Sequence, residues 1–190
     1  RARQACIYPA LMRENVNQLV DAGLIEESQK VAEALTCSSK IDTVVSKILE
    51  RKSNNKSKIV FCHYRGEIDI LKHELTREGI NVQTFDGRIN MSERSDILTQ
   101  KCDVLILQIQ TGCEGLNLQH FSEVYFISPH WNPSVEDQAI ARCHRIGQES
   151  EVDVFRFNMV AFDDDLETRT IDEYSSDVQD AKREVMTMIN

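Results

Sequence analysis

No apolar run in this sequence approaches the roughly 18 to 20 residues that cross a bilayer, which excludes a membrane-spanning helix. Proline and glycine are scarce, three and seven among 190 residues, and no segment is repetitive, which argues against a flexible interdomain linker. The six cysteines, at positions 6, 37, 62, 102, 113 and 143, are never closer than eleven residues. Neither a CxxC metal knuckle nor a dense disulfide framework fits that spacing, and reduced thiols in an intracellular protein are the expectation. The five histidines form no HExxH or HxxxH pair, so a metal enzyme has little support. The opening RARQACIYPALMREN has neither an apolar core nor a small-residue cleavage site, so no secretory signal is read there. Positive charge is also in short supply: 22 Lys and Arg face 31 Asp and Glu, a net −9. Residues 1–60 carry +3, 61–150 carry −5 and 151–190 carry −7, the opposite of a protein that holds nucleic acid by bulk electrostatics.

What is present suits one globular domain, 41% hydrophobic and 28% charged. The first fifty residues read as helices. Leu11, Val16, Leu19 and Val20 recur at helical spacing until Gly23, and Leu24 to Leu35 forms a second run. Ser38 or Ser39 caps a third, with Ile41, Val44, Val45, Ile48 and Leu49 on one face. From there strands and helices alternate. Short apolar runs at 58–62, 82–85, 103–107, 123–128 and 152–157 read as strands. Helices are expected at 67–75, 92–100 and 134–143, and through the acidic tail from Asp163 to about Met188. Near-continuous apolar strands separated by helices predict an α/β fold with a parallel sheet covered on both faces.

Ligands of such sheets bind at the carboxyl ends of the strands. Asp86-Gly87-Arg88 follows the second strand, and QIQTGCEGLNLQ (108–119) follows the third, with Gly112 and Gly115 permitting close backbone approach. PHWNPSVEDQAIARCHRIGQ (129–148) follows the fourth. Singly, each feature has an ordinary reading: a glycine pair is a tight turn, Arg142 and Arg145 are a solvated helix face, and Trp131 is a packing residue. Asp163, Asp164 and Asp165 read as solvent-facing. Cys143 and His144 are helical neighbours about 100° apart, a poor nucleophile and base.

Together these segments resemble the Swi/Snf-type ATPases of helicase superfamily two. QAIARCHRIGQ (138–148) is similar to their last helicase motif, and WNP (131–133), TGCEGLNL (111–118) and FDGRINMSER (85–94) match in register. RQACIYP (3–9) is similar to the segment that opens the second lobe, and TIDEYSSDVQDAKRE (170–184) to the helix that reaches back toward the first. The resemblance spans nearly the whole chain. Departures are Cys113 where a second glycine is usual, Gln108 for Ser or Thr, Ala141 for glycine and Tyr8 for histidine. The zinc-binding ubiquitin-ligase insert of one subgroup is not expected, since residues 10–37 hold one cysteine and no histidine.

The resemblance implies a RecA-like second lobe of an ATP-dependent double-stranded DNA translocase, acting in chromatin remodelling or DNA repair. Residues 1–52 would form a helical lead-in, 53–160 the lobe core, and 161–190 an acidic linker and helix packing toward the first lobe. ATP and Mg²⁺ would be held mainly by that first lobe, because no GxxxxGK[ST] loop occurs here. This fragment alone is therefore expected to be inactive. Arg142 and Arg145 are the implied catalytic arginines, with Gln138, Gly112, Glu114 and Gly115 lining the ATP cleft. Gly87, Arg88, Thr111, Trp131 and Asn132 are the implied DNA contacts, and no metal ligands are assigned. Implied partners are duplex DNA, nucleosomes and the amino-terminal RecA-like lobe, with no membrane, inside the cell and in the nucleus of a eukaryote. An RNA helicase lobe and a non-catalytic interaction lobe are the alternatives. RNA helicases usually carry HRxGRxxR, which this sequence lacks, and the intact arginines argue against a degenerate lobe.

Overall fold

Strand β1 (Lys58–Cys62) is buried at every position, so its sequence shows no polar alternation and it can only lie in the middle of a covered sheet. The computed structural model describes residues 2–26, 28–36, 38–90, 97, 100–112, 116–160 and 169–189. Among them β2 (Val82–Phe85), β3 (Val104–Gln108), β4 (Glu123–Phe126) and β5 (Asp153–Arg156) complete a parallel sheet of order β2-β3-β1-β4-β5. Lys58 is in register with Val104 on one side and Glu123 on the other. The anticipated strands all form. Three have bounds other than expected: β3 runs from Val104 to Gln108, β4 stops at Phe126, where Ile127 and Ser128 bend away, and β5 covers Asp153–Arg156.

The helices are α1 (Ala2–Ile7), α2 (Arg13–Asp21), α3 (Gln29–Ala34), α4 (Ser39–Glu50), α5 (Arg65–Arg77), α6 (Ile109–Gly112), α7 (Pro133–Cys143) and α8 (Ile171–Ile189). Alternate strand residues define two cores. Val60, Cys62, Val104, Ile106, Tyr125 and Ile127 meet Ile7 of α1, Ile41, Val44 and Ile48 of α4, and Ile68, Leu71 and Leu75 of α5. Ile59, Phe61, Leu105, Leu107, Val124 and Phe126 meet Ile109, Leu118, Phe121, Ala139 and Cys143 on the other face. The i, i+3, i+7 spacing in α4 and α5 is what puts those side chains on one stripe. Gly79, at φ +73°, closes α5, with Ile80 N–H donating to Leu75 O at 3.0 Å.

Two expectations need adjustment. The second helix begins only at Gln29, and Leu24, read as its first residue, is exposed. Short α6 replaces a plain glycine turn after β3. The helix expected at 92–100 falls largely outside the described residues, as do Asp163, Asp164 and Asp165. No described helix is long and apolar enough to cross a membrane.

Candidate nucleotide and nucleic-acid site

Helix α7 starts from the loop after β4 and carries Gln138 and Arg142, with Trp131 and Asn132 just before it and Arg145 just after. Asn132 occupies its N-cap, the Oδ1 accepting from Ser134 N–H at 3.2 Å, and Pro133 follows at the first helical position. The apolar side, Ala139 and Cys143, is buried against the sheet. That leaves Gln138 exposed and Arg142 partly exposed one turn further on. Arg145 lies beyond the helix. The spacing puts all three on one side of a helix or its carboxyl-terminal extension; the chain leaves the helix at His144 (ψ 79°), so Arg145 belongs to a turn just beyond it.

Neither Arg142 nor Arg145 has a salt bridge or side-chain hydrogen bond among the described residues. Arg142 O accepts from Leu118 N–H at 3.3 Å, and α6 packs on α7. Gly112 is the last residue of α6. Glu114 and Gly115 lie outside the described residues, and Thr111 is placed in α6 by its backbone.

Apart from Thr111, which follows β3, the DNA candidates fall into two groups separated by three strand spacings, about 14 Å. Gly87 and Arg88 follow β2 at one edge. Arg88 is tied down: its guanidinium donates to Asp86 at 2.6 and 3.0 Å and to Asp69 at 2.8 and 3.1 Å. Hydrogen bonds from Arg88 hold the Asp86 carboxyl below its ordinary range. A phosphate would have to draw Arg88 away from both carboxylates. Trp131 and Asn132 form the second group at the start of α7. Trp131 is 60% exposed, which removes the packing reading, and Lys182 of α8 sits over its ring, Nζ 4.7 Å from the centroid and donating to Trp131 O at 3.0 Å.

A buried polar network fixes this edge. Glu136 of α7 is fully buried and accepts from His130 N–H at 2.7 Å, from Gln179 at 2.7 Å and from Arg156 at 2.9 Å. Lys40, in the first turn of α4, donates to Ser128 Oγ at 2.8 Å and pairs with Asp172, in the first turn of α8. The stacked rings of His63 and His130, 5.8 Å apart, fill the space between. Sequence reasoning missed Lys182, Glu136, Lys40 and Asp172. Their partners are distant in the chain, and no local pattern announces them.

Glu67 closes the start of α5, its Oε2 accepting from His63 N–H at 2.7 Å and Tyr64 N–H at 3.3 Å while Oε1 has no partner. Burial pushes its carboxyl up to about 7, against those two donors, and burial together with the charge of Arg3 holds His63 down to about 4. The two have opposite consequences. The Glu67 contribution to stability is complete below the unfolded carboxylate pKa and is lost as pH rises toward 7. The His63 contribution is complete above about 6.5 and is lost as pH falls toward 4. Glu67→Gln should therefore gain stability relative to the wild type between pH 4.5 and 7, by on the order of 2–3 kcal/mol. Urea unfolding across that range checks it, and a constant difference would rule it out.

The parallel five-strand order, with its polar loops gathered at the carboxyl ends, defines a RecA-like lobe. Residues 39–147 match the family described as helicase conserved C-terminal domain. The DNA repair protein RAD5 of Debaryomyces hansenii is 39% identical over 78% of this chain and 13% of its own length. RAD5 of Candida albicans is 38% identical over 78% of this chain and 14% of its own. The C-terminal part of the Fun30 ATPase domain has the same fold, with TM-score 0.59 and 20% identity, covering 80% of this chain and 55% of that one. The chain belongs to the helicase conserved C-terminal domain family, in its Swi/Snf-type branch of superfamily two. It spans little more than an eighth of the length of those two RAD5 proteins.

Proposed function

We propose that this chain is the second motor lobe of an ATP-dependent double-stranded DNA translocase that works on chromatin or in DNA repair. The observation that carries the reading is the layout of α7. Arg142 and Arg145, which have no salt bridge among the described residues, stand at and just beyond its carboxyl end, and an exposed tryptophan stands at its amino end, about 15 Å away by helical rise. Hydrolysis spreads negative charge over the γ-phosphoryl oxygens, and planar guanidinium groups can hold two of them at once. In this reading Arg142 and Arg145 meet that charge, while Gln138, Gly112, Glu114 and Gly115 shape the rest of the cleft. The first lobe of the longer protein supplies the phosphate loop and holds Mg²⁺. Gly87, Arg88, Thr111, Trp131 and Asn132 face the duplex, where main-chain N–H groups suit a motor that must release phosphates each cycle. Residues 1–52, 53–160 and 161–190 serve as lead-in, lobe core, and linker with docking helix. The place of action in a eukaryote is the nucleus.

Trp131→Ala in the full-length protein is the test. Duplex DNA should stimulate its ATPase with about tenfold weaker apparent affinity, while the melting temperature falls by no more than about 4 °C, the scale of one lost cation–π contact. Unchanged DNA affinity would remove Trp131 from the interface. Stimulation by duplex RNA in place of DNA would favour the RNA helicase reading, and absence of any ATPase the interaction lobe.

A further inference from the structure

Because α7 ends at Cys143, the helix does not determine where Arg145 emerges. Residues 145–148 form a tight turn in which Gln148 N–H donates to Arg145 O at 2.9 Å, and Gly147 adopts φ +100°, a conformation that excludes most side chains. Packing does not hold the outer part of this turn: Arg145 is exposed and Ile146 is 98% exposed. What fastens it is the side chain of Gln148. Its Nε2 donates to Gln119 O at 2.6 Å and Phe121 O at 3.1 Å and lies 3.4 Å from Cys143 O. Its Oε1 accepts from Ser150 N–H at 3.0 Å. One planar amide thus joins the end of α7, the loop entering β4 and the approach to β5.

We infer that Gln148 is the positioning residue for Arg145, and that its amide sets the direction in which the arginine leaves the lobe. The inference rests on the reading of Arg145 as a γ-phosphate ligand. The chemistry of the contact singles out glutamine: the segments around the turn present main-chain carbonyls to Nε2 and a main-chain N–H to Oε1, so only a side chain that donates and accepts at once completes it. A glutamate of the same shape keeps the acceptor, loses both donors and sets a negative charge against carbonyl oxygens. Methionine of similar length keeps the bulk and loses the hydrogen bonds.

The test is a double-mutant cycle in the full-length protein, with steady-state ATPase at saturating duplex DNA. Gln148→Glu and Gln148→Met should each lower kcat about 10²-fold, the scale of a misplaced catalytic group, with KM for ATP and DNA affinity within about twofold of wild type. On an Arg145→Ala background the same substitutions should cost nothing further. An equal further loss on that background, or a matching rise in KM, would show that Gln148 merely supports the fold and would overturn the inference. Normal turnover in both Gln148 variants beside a slow Arg145→Ala would overturn it while leaving the arginine assignment standing. Normal turnover in Arg145→Ala itself would remove both.

Discussion

Replacing Arg142 or Arg145 with alanine in the full-length protein should lower kcat for ATP hydrolysis by on the order of 10²- to 10³-fold, with ATP and DNA affinities nearly unchanged. The expectation comes from where the arginines of this acidic chain are committed. Arg51, Arg77, Arg88, Arg156, Arg169 and Arg183 each pair with a carboxylate. Arg142 and Arg145, like Arg3, Arg13 and Arg65, have no salt bridge among the described residues, although acidic residues outnumber basic ones by 31 to 22. What sets Arg142 and Arg145 apart is their place at and just beyond the end of α7, where a ligand that brings its own negative charge can meet them. Lysine should rescue poorly at either position, because an ammonium lacks the two-pronged geometry. Near wild-type turnover for both Arg→Lys variants at saturating DNA would return the pair to a solvated surface role.

Asp172→Asn should destabilise the lobe by about 3–5 kcal/mol, because it leaves the Lys40 ammonium buried without its counter-charge. Both side chains are almost wholly removed from solvent, 3% and 0% exposed. Burial already lowers the Lys40 pKa, opposed by Asp172. For a chain of this length the loss corresponds to a fall of roughly 10 °C or more in melting temperature. The double variant Lys40→Met, Asp172→Leu should be more stable than Asp172→Asn alone, since no charge is then stranded. Thermal unfolding of the three proteins measures both differences. A drop of less than about 1 kcal/mol for Asp172→Asn would mean that water reaches the lysine.

The sheet was legible because its inner strands are buried on both faces. KIVFC, VLIL and EVYF have no polar alternation to misread, so the strands and their parallel pairing followed from the pattern. Helix α3 was harder: Leu24 and Ile25 extend an apolar run that the folded chain leaves largely uncovered, and periodicity alone cannot show that nothing packs there. At the site, the motif residues were visible because they fall in short runs just after the second, third and fourth strands. Their supports were not. Lys182 meets Trp131, Asp172 meets Lys40 and Gln179 meets Glu136 only after α8 has folded back across the lobe. That Arg145 lies beyond the helix was legible, since the helical pattern ends at Cys143, and Gly147, which adopts φ +100°, marks the turn that follows. Arg88 shows the converse. As a lone basic residue after a strand it looks available, and only the folded arrangement of Asp69 and Asp86 occupies it.

The strand order also bears on how the lobe is made. β1 is the centre of the sheet, yet both of its neighbours, β3 and β4, come later in the chain, with α5 and β2 intervening before the first of them. During synthesis this fully buried central strand therefore emerges with both hydrogen-bonding edges bare, and it stays so until far more chain has been added. Pairings over such separations require large loops to close before any contact rewards them, which slows folding and lengthens exposure to association with other chains. Helix α8 comes last, and its Asp172 joins Lys40 of α4 only then. A ribosome-bound chain that stops before β4 would present KIVFC as an open edge, so the same topology that gathers the functional loops at one end makes the half-synthesised lobe a natural client for chaperones.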